Sequence, residues 1–133
     1  KEKPFSSSEA MRITSEKSVY FDAFVQQSHL DIENMKTYIK ERDIHKVGQL
    51  AQENALRMHA SLMAVNMWYF EPETLKVMNI VRSLQKDIPV YFTMDAGPNV
   101  KILTLDRHVD EVLKALGEIE TVISHSGPGI HVL

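Results

Sequence analysis

Apolar residues along this chain follow two different periods. From about Val19 to Lys40, Phe21, Phe24, Val25, Ile32, Met35 and Ile39 recur mostly three or four apart, predicting a long helix with one buried face. Glu41-Arg42-Asp43 closes it, and Asp43 is placed to cap a second helix. That helix runs to about Ala64, with Ile44, Val47, Leu50, Ala51, Ala55, Met58 and Leu62 on one stripe. So short a connection makes the two helices antiparallel neighbours. Ahead of them, Ser6 and Glu9 stand at capping-box spacing before a short helix carrying Met11 and Ile13. Beyond a broken aromatic stretch at 66–70, Pro72 opens a helix to about Lys86 through Leu75, Met78, Val81 and Leu84. The period then shortens. Val90 to Leu105 reads as two short strands around a compact Asp95-Ala96-Gly97-Pro98-Asn99 loop. Asp106 is placed to cap a helix carrying Val109, Val112, Leu113 and Leu116 and ended by Gly117. Two last strands, Thr121 to His125 and Ile130 to Leu133, flank Ser126-Gly127-Pro128-Gly129.

Helices followed by strand, strand, helix, strand, strand predict an α+β fold with helices packed on one face of an antiparallel sheet. A ferredoxin-like layer fits if a first strand lies upstream of Lys1. That gap, and an opening residue other than Met, point to the back half of a longer protein. No repeat, low-complexity tract or interdomain linker interrupts the pattern.

Composition narrows the function classes. The 133 residues, 44% of them hydrophobic, suffice for one domain with a real core. A net charge of −3 gives no electrostatic case for nucleic acid or an anionic membrane as partner. Without cysteine there is no disulfide framework, thiol nucleophile or thiolate metal site, which a reducing cytoplasm allows. No apolar run approaches the roughly 20 residues of a membrane span, and no stretch reads as a signal peptide.

The candidate chemistry centres on Asp95. It follows an apolar strand directly, at the strand end beside the tight backbone of Ala96 and Gly97. A carboxylate partly desolvated there and held by flanking strands suits a positioned base or charge stabiliser; equally, an Asp opens turns by bonding its own backbone. The run Ser6-Ser7-Ser8 likewise supports two readings, a well-capped helix or an anion site at a helix start, where Glu9 would oppose a phosphate. None of the six histidines forms a His-x-x-x-His pair. His29, His45 and His108 read as exposed, and His59 as a satisfied packing residue. Ser124-His125-Ser126 has no acid at nucleophile-elbow spacing, and the glycine turn after it is a weak phosphate signal. The seven methionines read as core filler, and Trp68-Tyr69-Phe70 as packing or a partner surface.

One block goes further. Tyr91-Phe92-Thr93-Met94-Asp95-Ala96-Gly97-Pro98-Asn99-Val100-Lys101 resembles, almost letter for letter, the signature of diphosphomevalonate decarboxylases, bacterial members in particular. Asn54-Ala55-Leu56-Arg57-Met58-His59-Ala60 is similar to a second family block, and Ser6-Ser7 before Met11 to a third. The resemblance implies the superfamily of galactokinase, homoserine kinase and mevalonate kinase. Residues 1–133 would form the C-terminal domain of a two-lobed protein, with an incomplete ferredoxin-like sheet. It also implies ATP-dependent decarboxylation of mevalonate 5-diphosphate to isopentenyl diphosphate in the cytoplasm, by an enzyme inactive without its other lobe. Asp95 would be the catalytic acid acting on the substrate's tertiary hydroxyl. Ser7 would contact the diphosphate, and Ala96 and Gly97 would let the backbone approach it. ATP and Mg2+ would be held mainly by the N-terminal lobe, whose Gly/Ser-rich phosphate loop is absent from these residues. No metal ligand is expected in this chain. The partners implied are the phosphorylated mevalonate and that lobe, with a homodimer left open.

Two departures stand out. The family pattern is Ser-Ser-Arg-x-Gly-Met, whereas Ser8 stands where the Arg is expected and Ala10 where the Gly is. The family's Pro-Pro-Phe segment is replaced by the shorter Asn66-Met67-Trp68-Tyr69. Loss of a guanidinium fork removes a bidentate phosphate contact. A decarboxylase acting on the monophosphate is therefore the alternative, with a non-catalytic ligand-binding module as the reading from another class.

Overall fold

A computed structural model describes residues 5–127. The first helix, α1 (Ser7–Lys17), starts where the capping signal puts it: the Ser6 hydroxyl accepts from the Glu9 N–H at 3.1 Å. The long pair is α2 (Phe21–Glu41) and α3 (Ile44–Met63). Arg42, in the left-handed region at φ 55°, ends α2 while its N–H reaches the Ile39 carbonyl. Asp43 then caps α3, its carboxylate accepting from the N–H groups of His45 and Lys46, both at 3.1 Å. Helix α4 (Pro72–Leu84) leads into the hairpin of β1 (Val90–Thr93) and β2 (Lys101–Thr104). The strands pair antiparallel, Val90 opposite Thr104 and Thr93 opposite Lys101. A 3-10 turn at Asp106–His108 precedes α5 (Val109–Leu116), which stops at Gly117 with φ 63°.

Two apolar clusters hold these elements together. One joins Val77 and Val81 of α4, Ile88, the inward side of β1 (Val90, Phe92 and then Met94), and Val112 and Leu116 of α5. The other joins Ala10 of α1, Leu62 of α3, Met67 and Tyr69, with Phe5, Ile13, Val65 and Ala96 packed against it. Helix α3 lies close to β1 because Gly48 makes room for the Tyr91 ring, which would overlap any added Cβ.

Several expectations change. Asp106 does not cap a helix with its side chain; Leu105 occupies that position, and the chain makes a 3-10 turn first. On α2 the apolar pattern misplaces part of the buried face: Ile32 and Ile39 are exposed, and the residue turned fully inward is Asp31. The reason lies on α3, where Asn54 and Arg57 donate to the Asp31 carboxylate at 2.9 and 2.8 Å, while Gln27 adds 2.8 Å from its own helix. Polar partners thereby draw a charge into the seam and leave the isoleucines outside. On α4, Val77 replaces the exposed Leu75 in the core. His108 is half-buried rather than exposed.

The sheet is the two-stranded ribbon alone among the described residues. Thr121–His125 has no strand conformation, and Val122 and Ile123 are exposed. On the far edge of β1 the Phe92 N–H donates to Gln52 Oε1 of α3 at 3.2 Å, so that backbone donor is satisfied by a side chain. Ile130–Leu133 lies outside the described residues, as do Pro128 and Gly129 of the glycine turn.

Candidate functional site

Strand alternation explains how Asp95 is presented. Val90, Phe92 and Met94 point inward, so the next odd position, Asp95, points out. Its neighbours are anchored on opposite sides. Met94, 2% exposed, belongs to the cluster under the hairpin, while Ala96 packs against the cluster of Ala10 and Tyr69. The chain thus crosses from one core to the other at Asp95. Gly97 is buried with φ 153°, a backbone region that L side chains rarely enter, so glycine is required where the loop turns inward.

The carboxylate is not desolvated as the sequence suggested. Its side chain is 79% exposed and pairs with the Lys101 ammonium, itself 59% exposed. Antiparallel register is the cause, since Lys101 opens β2 opposite Thr93 and lands beside the end of β1. Exposed pairs of this kind contribute about 0–1 kcal/mol, so Lys101 aims the acid more than it anchors it. Sequence reasoning gave Lys101 no role although it ends the signature block; the pairing follows from hairpin register.

The helix start lies next to this loop. Ser7 and Ala96 line the same cavity, about 50 Å³, with Ala10, Met11, Thr14, Phe24, Leu62 and Tyr69 among its other walls. The first N–H groups of a helix have no partner within it, so α1 presents donors and the positive end of its dipole at Ser7 and Ser8, both exposed. Of the four residues singled out in the sequence, Ser7 and Ala96 share this cavity, and Asp95 and Gly97 flank Ala96 along the chain. The buried methyl of Ala10, 2% exposed, sits in the apolar cluster, which accommodates that departure from glycine.

Tyr69 joins the residues before α1 to α3. Its ring is 3% exposed, lies 4.5 Å from Phe5, and meets His59 edge-on at 6.1 Å. Its hydroxyl makes a long hydrogen bond to the Ser6 carbonyl, 3.5 Å. Trp68 is 58% exposed, so of the aromatic run Tyr69 packs and Trp68 faces outward. His59 is buried, but not satisfied as expected. Nε2 has no hydrogen-bond partner among the described residues, and burial pushes the imidazole down to about 4. Its neighbours are the Tyr69 ring and, at 4.7 Å, that of Phe70. No group of three or more His, Asp or Glu side chains able to hold a metal ion occurs among the described residues. No described helix is long and apolar enough to cross a membrane.

Comparison with known proteins places this architecture. A family model described as the mevalonate 5-diphosphate decarboxylase C-terminal domain matches residues 1–126. The chain is 33% identical over 119 residues to a phosphomevalonate decarboxylase of Haloferax volcanii, covering 85% of this chain and 37% of that protein. Among solved structures, mevalonate pyrophosphate decarboxylase from Streptococcus pyogenes superposes with a TM-score of 0.85 at 38% identity, over 98% of this chain and 43% of that one. The mevalonate diphosphate decarboxylase from Enterococcus faecalis, studied for mevalonate diphosphate mediated ATP binding, gives 0.80 at 35%, over 87% and 37%. The chain thus spans less than half the length of these relatives. A signature loop crossing between two cores, a helix start beside it and a match along residues 1–126 agree: the chain belongs to the mevalonate 5-diphosphate decarboxylase C-terminal domain family.

Proposed function

We propose that these residues are the C-terminal lobe of an ATP-dependent decarboxylase of a phosphorylated mevalonate, with Asp95 as its catalytic carboxylate. The observation that carries this is the meeting of the two signature blocks, Ser7 and Ala96 lining one cavity beside an outward-pointing Asp95. In this reading the substrate's phosphate lies at the N-terminus of α1, with Ser7 donating to it, and Gly97 lets the backbone come close. The Asp95 carboxylate orients or deprotonates the tertiary hydroxyl, whose oxygen attacks the γ-phosphate of ATP. The C–O bond to the new phosphate then breaks as carbon dioxide leaves, and the electrons of the broken C–C bond form the double bond of the product. Positioning and electrostatics dominate such transfers. ATP and its Mg2+ belong in this reading to an N-terminal lobe outside these residues, since the chain has no Gly-rich phosphate loop. That lobe would cover the exposed Asp95 and exclude water from it. A cytoplasmic location and a homodimer remain part of the same proposal.

A second reading concerns the phosphate count. Ser8, exposed on the first turn of α1, replaces the guanidinium expected there, and one relative at 33% identity is a phosphomevalonate decarboxylase. Both favour a monophosphate substrate. The test of the common core is Asp95→Asn in the full-length protein, which keeps the shape and removes the charge. Decarboxylation is expected to fall at least ~10²-fold, the lower range for a general base, with substrate binding retained. Activity within a few-fold of wild type would remove Asp95 from the chemistry. Assays with mevalonate mono- and diphosphate, following ADP and CO2 separately, decide between the substrates.

A further inference from the structure

We infer that Thr74 is a positioning residue for the Asp95 loop, acting through the carbonyl of Pro98; the inference rests on the assignment of Asp95 above. Thr74 is 3% exposed at the third position of α4, away from the cavity that Ser7 and Ala96 line. Its hydroxyl makes two hydrogen bonds of opposite sense. It accepts from the Glu71 N–H at 3.1 Å and donates to the Pro98 carbonyl at 2.9 Å. A hydroxyl has one proton, so accepting from Glu71 leaves that proton for Pro98 and fixes its direction. The arrangement reverses the ordinary capping box, in which Ser or Thr stands at the cap and Glu three residues on: here Glu71 is the cap and the threonine follows. The reversal has a consequence for the site. Placed one turn into the helix, the threonine accepts from the Glu71 N–H and sends its proton out of the helix to the loop carbonyl of Pro98.

Three attachments hold the residues around Asp95: Met94 in one core, Ala96 on the other, and Pro98 on Thr74. The first two are apolar and non-directional, so they fix where the loop lies better than how it is rotated. Of these backbone attachments the third is the directional one, and it acts on the far side of Gly97, the most permissive backbone of the loop, while the exposed Lys101 pair touches only the carboxylate. Without it, rotation about Gly97 is free to carry the Asp95 carboxylate off line, and displacement of a catalytic group by about 1 Å can cost ~10²-fold in rate. Binding of the phosphate at α1 does not involve Thr74, so the effect falls on turnover rather than affinity.

The experiment uses the full-length protein with Thr74→Val, which keeps the shape and removes the hydroxyl, and Thr74→Ser, which keeps the hydroxyl. Thr74→Val is expected to lower kcat at least ~10-fold with KM changed less than ~3-fold, and Thr74→Ser to restore kcat to within ~3-fold of wild type. Amide hydrogen exchange supplies a readout independent of activity: residues 95–99 exchange faster in Thr74→Val, while α2 and α3 are unchanged. Added to Asp95→Asn, Thr74→Val lowers turnover no further. If Thr74→Val fails to fold, Thr74→Ala, which demands less space, carries the same expectations. Wild-type kcat and unchanged exchange in a Thr74 variant lacking the hydroxyl, with Asp95→Asn inactive, overturn the role of Thr74 alone. Near-wild-type turnover by Asp95→Asn overturns the assignment of Asp95, and the inference with it. Equal losses in Thr74→Val and Thr74→Ser also overturn it, since the hydroxyl would then not be the operative group.

Discussion

Asp31 and Asp95 are the same side chain in opposite circumstances. Asp31 lies in the α2–α3 seam, its side chain 6% exposed, with Gln27, Asn54 and Arg57 all donating to it. Asp95 stands at the hairpin corner, 79% exposed, with one flexible lysine beside it. Burial tends to raise the pKa of Asp31, but hydrogen bonds from Asn54 and Gln27 and the Arg57 charge outweigh it and hold the carboxyl below its ordinary range. Such an acid is committed: three donors engage both of its oxygens, inside a seam that leaves it almost no exposure to a ligand. Asp95 has the reverse character. Its backbone is anchored on both sides while its carboxylate keeps unspent acceptor capacity, which is what a group that must meet a substrate requires. Charge is therefore a poor guide to function; the saturation of its hydrogen bonds is the better one.

The largest test of this contrast is stability. Removing one partner from a buried pair typically costs about 3–5 kcal/mol. Arg57 is 34% exposed and keeps Glu53 at 2.7 Å, so Asp31→Ala should fall near the lower end, roughly 3 kcal/mol. Denaturant unfolding measures it, and a loss below about 1 kcal/mol would show that the seam is ornamental. Asp95→Asn, in contrast, should stay within about 0.5 kcal/mol of wild type, as exposed substitutions do. If Asp95→Asn were the more destabilising of the two, the division into structural and functional acid would be wrong.

His59 sharpens the comparison because it is buried like Asp31 but lacks its partners. With the folded group held down to about 4 against an ordinary 6.5, the unfolded chain takes up the proton first on acidification. Stability from neutral His59 is thus complete above about pH 6.5 and is lost as pH falls toward 4, by roughly 3 kcal/mol in total. Asp31 acts in a different window: its contribution persists down to about pH 3.9 and is lost only below that. Thermal unfolding between pH 7 and 4 should therefore show a slope that His59→Leu flattens and Asp31→Asn leaves in place. An unchanged slope in His59→Leu would mean that the imidazole is hydrated or partnered in solution.

The smallest effect concerns affinity at α1. A charge-assisted hydrogen bond contributes roughly 1.5–3 kcal/mol, and the helix end about 0.3–1 kcal/mol. Restoring the guanidinium by Ser8→Arg should therefore shift the KM ratio of mono- to diphosphate about tenfold in favour of the diphosphate. An unchanged ratio would show that Ser8 does not face the phosphate.

What the sequence determined by itself is local. Ser6, Asp43 and Pro72 each start a helix because a cap or a fixed φ acts within a turn of its own position. The signature block was readable as a hairpin with Asp95 at its corner, since alternation along β1 fixes which residues face out. Tertiary structure decided the rest, wherever the partner lies far along the chain. Asp31 rather than Ile32 is buried because Asn54 and Arg57 wait on another helix. Thr121–His125 carries Val122 and Ile123 yet is not a strand, and both residues are exposed. Ser7 reaches Ala96, and Thr74 reaches Pro98, only because two separate cores hold the loop between α1 and α4. Propensity acts through neighbours in sequence, but a site is made of neighbours in space, and packing alone determines which those are.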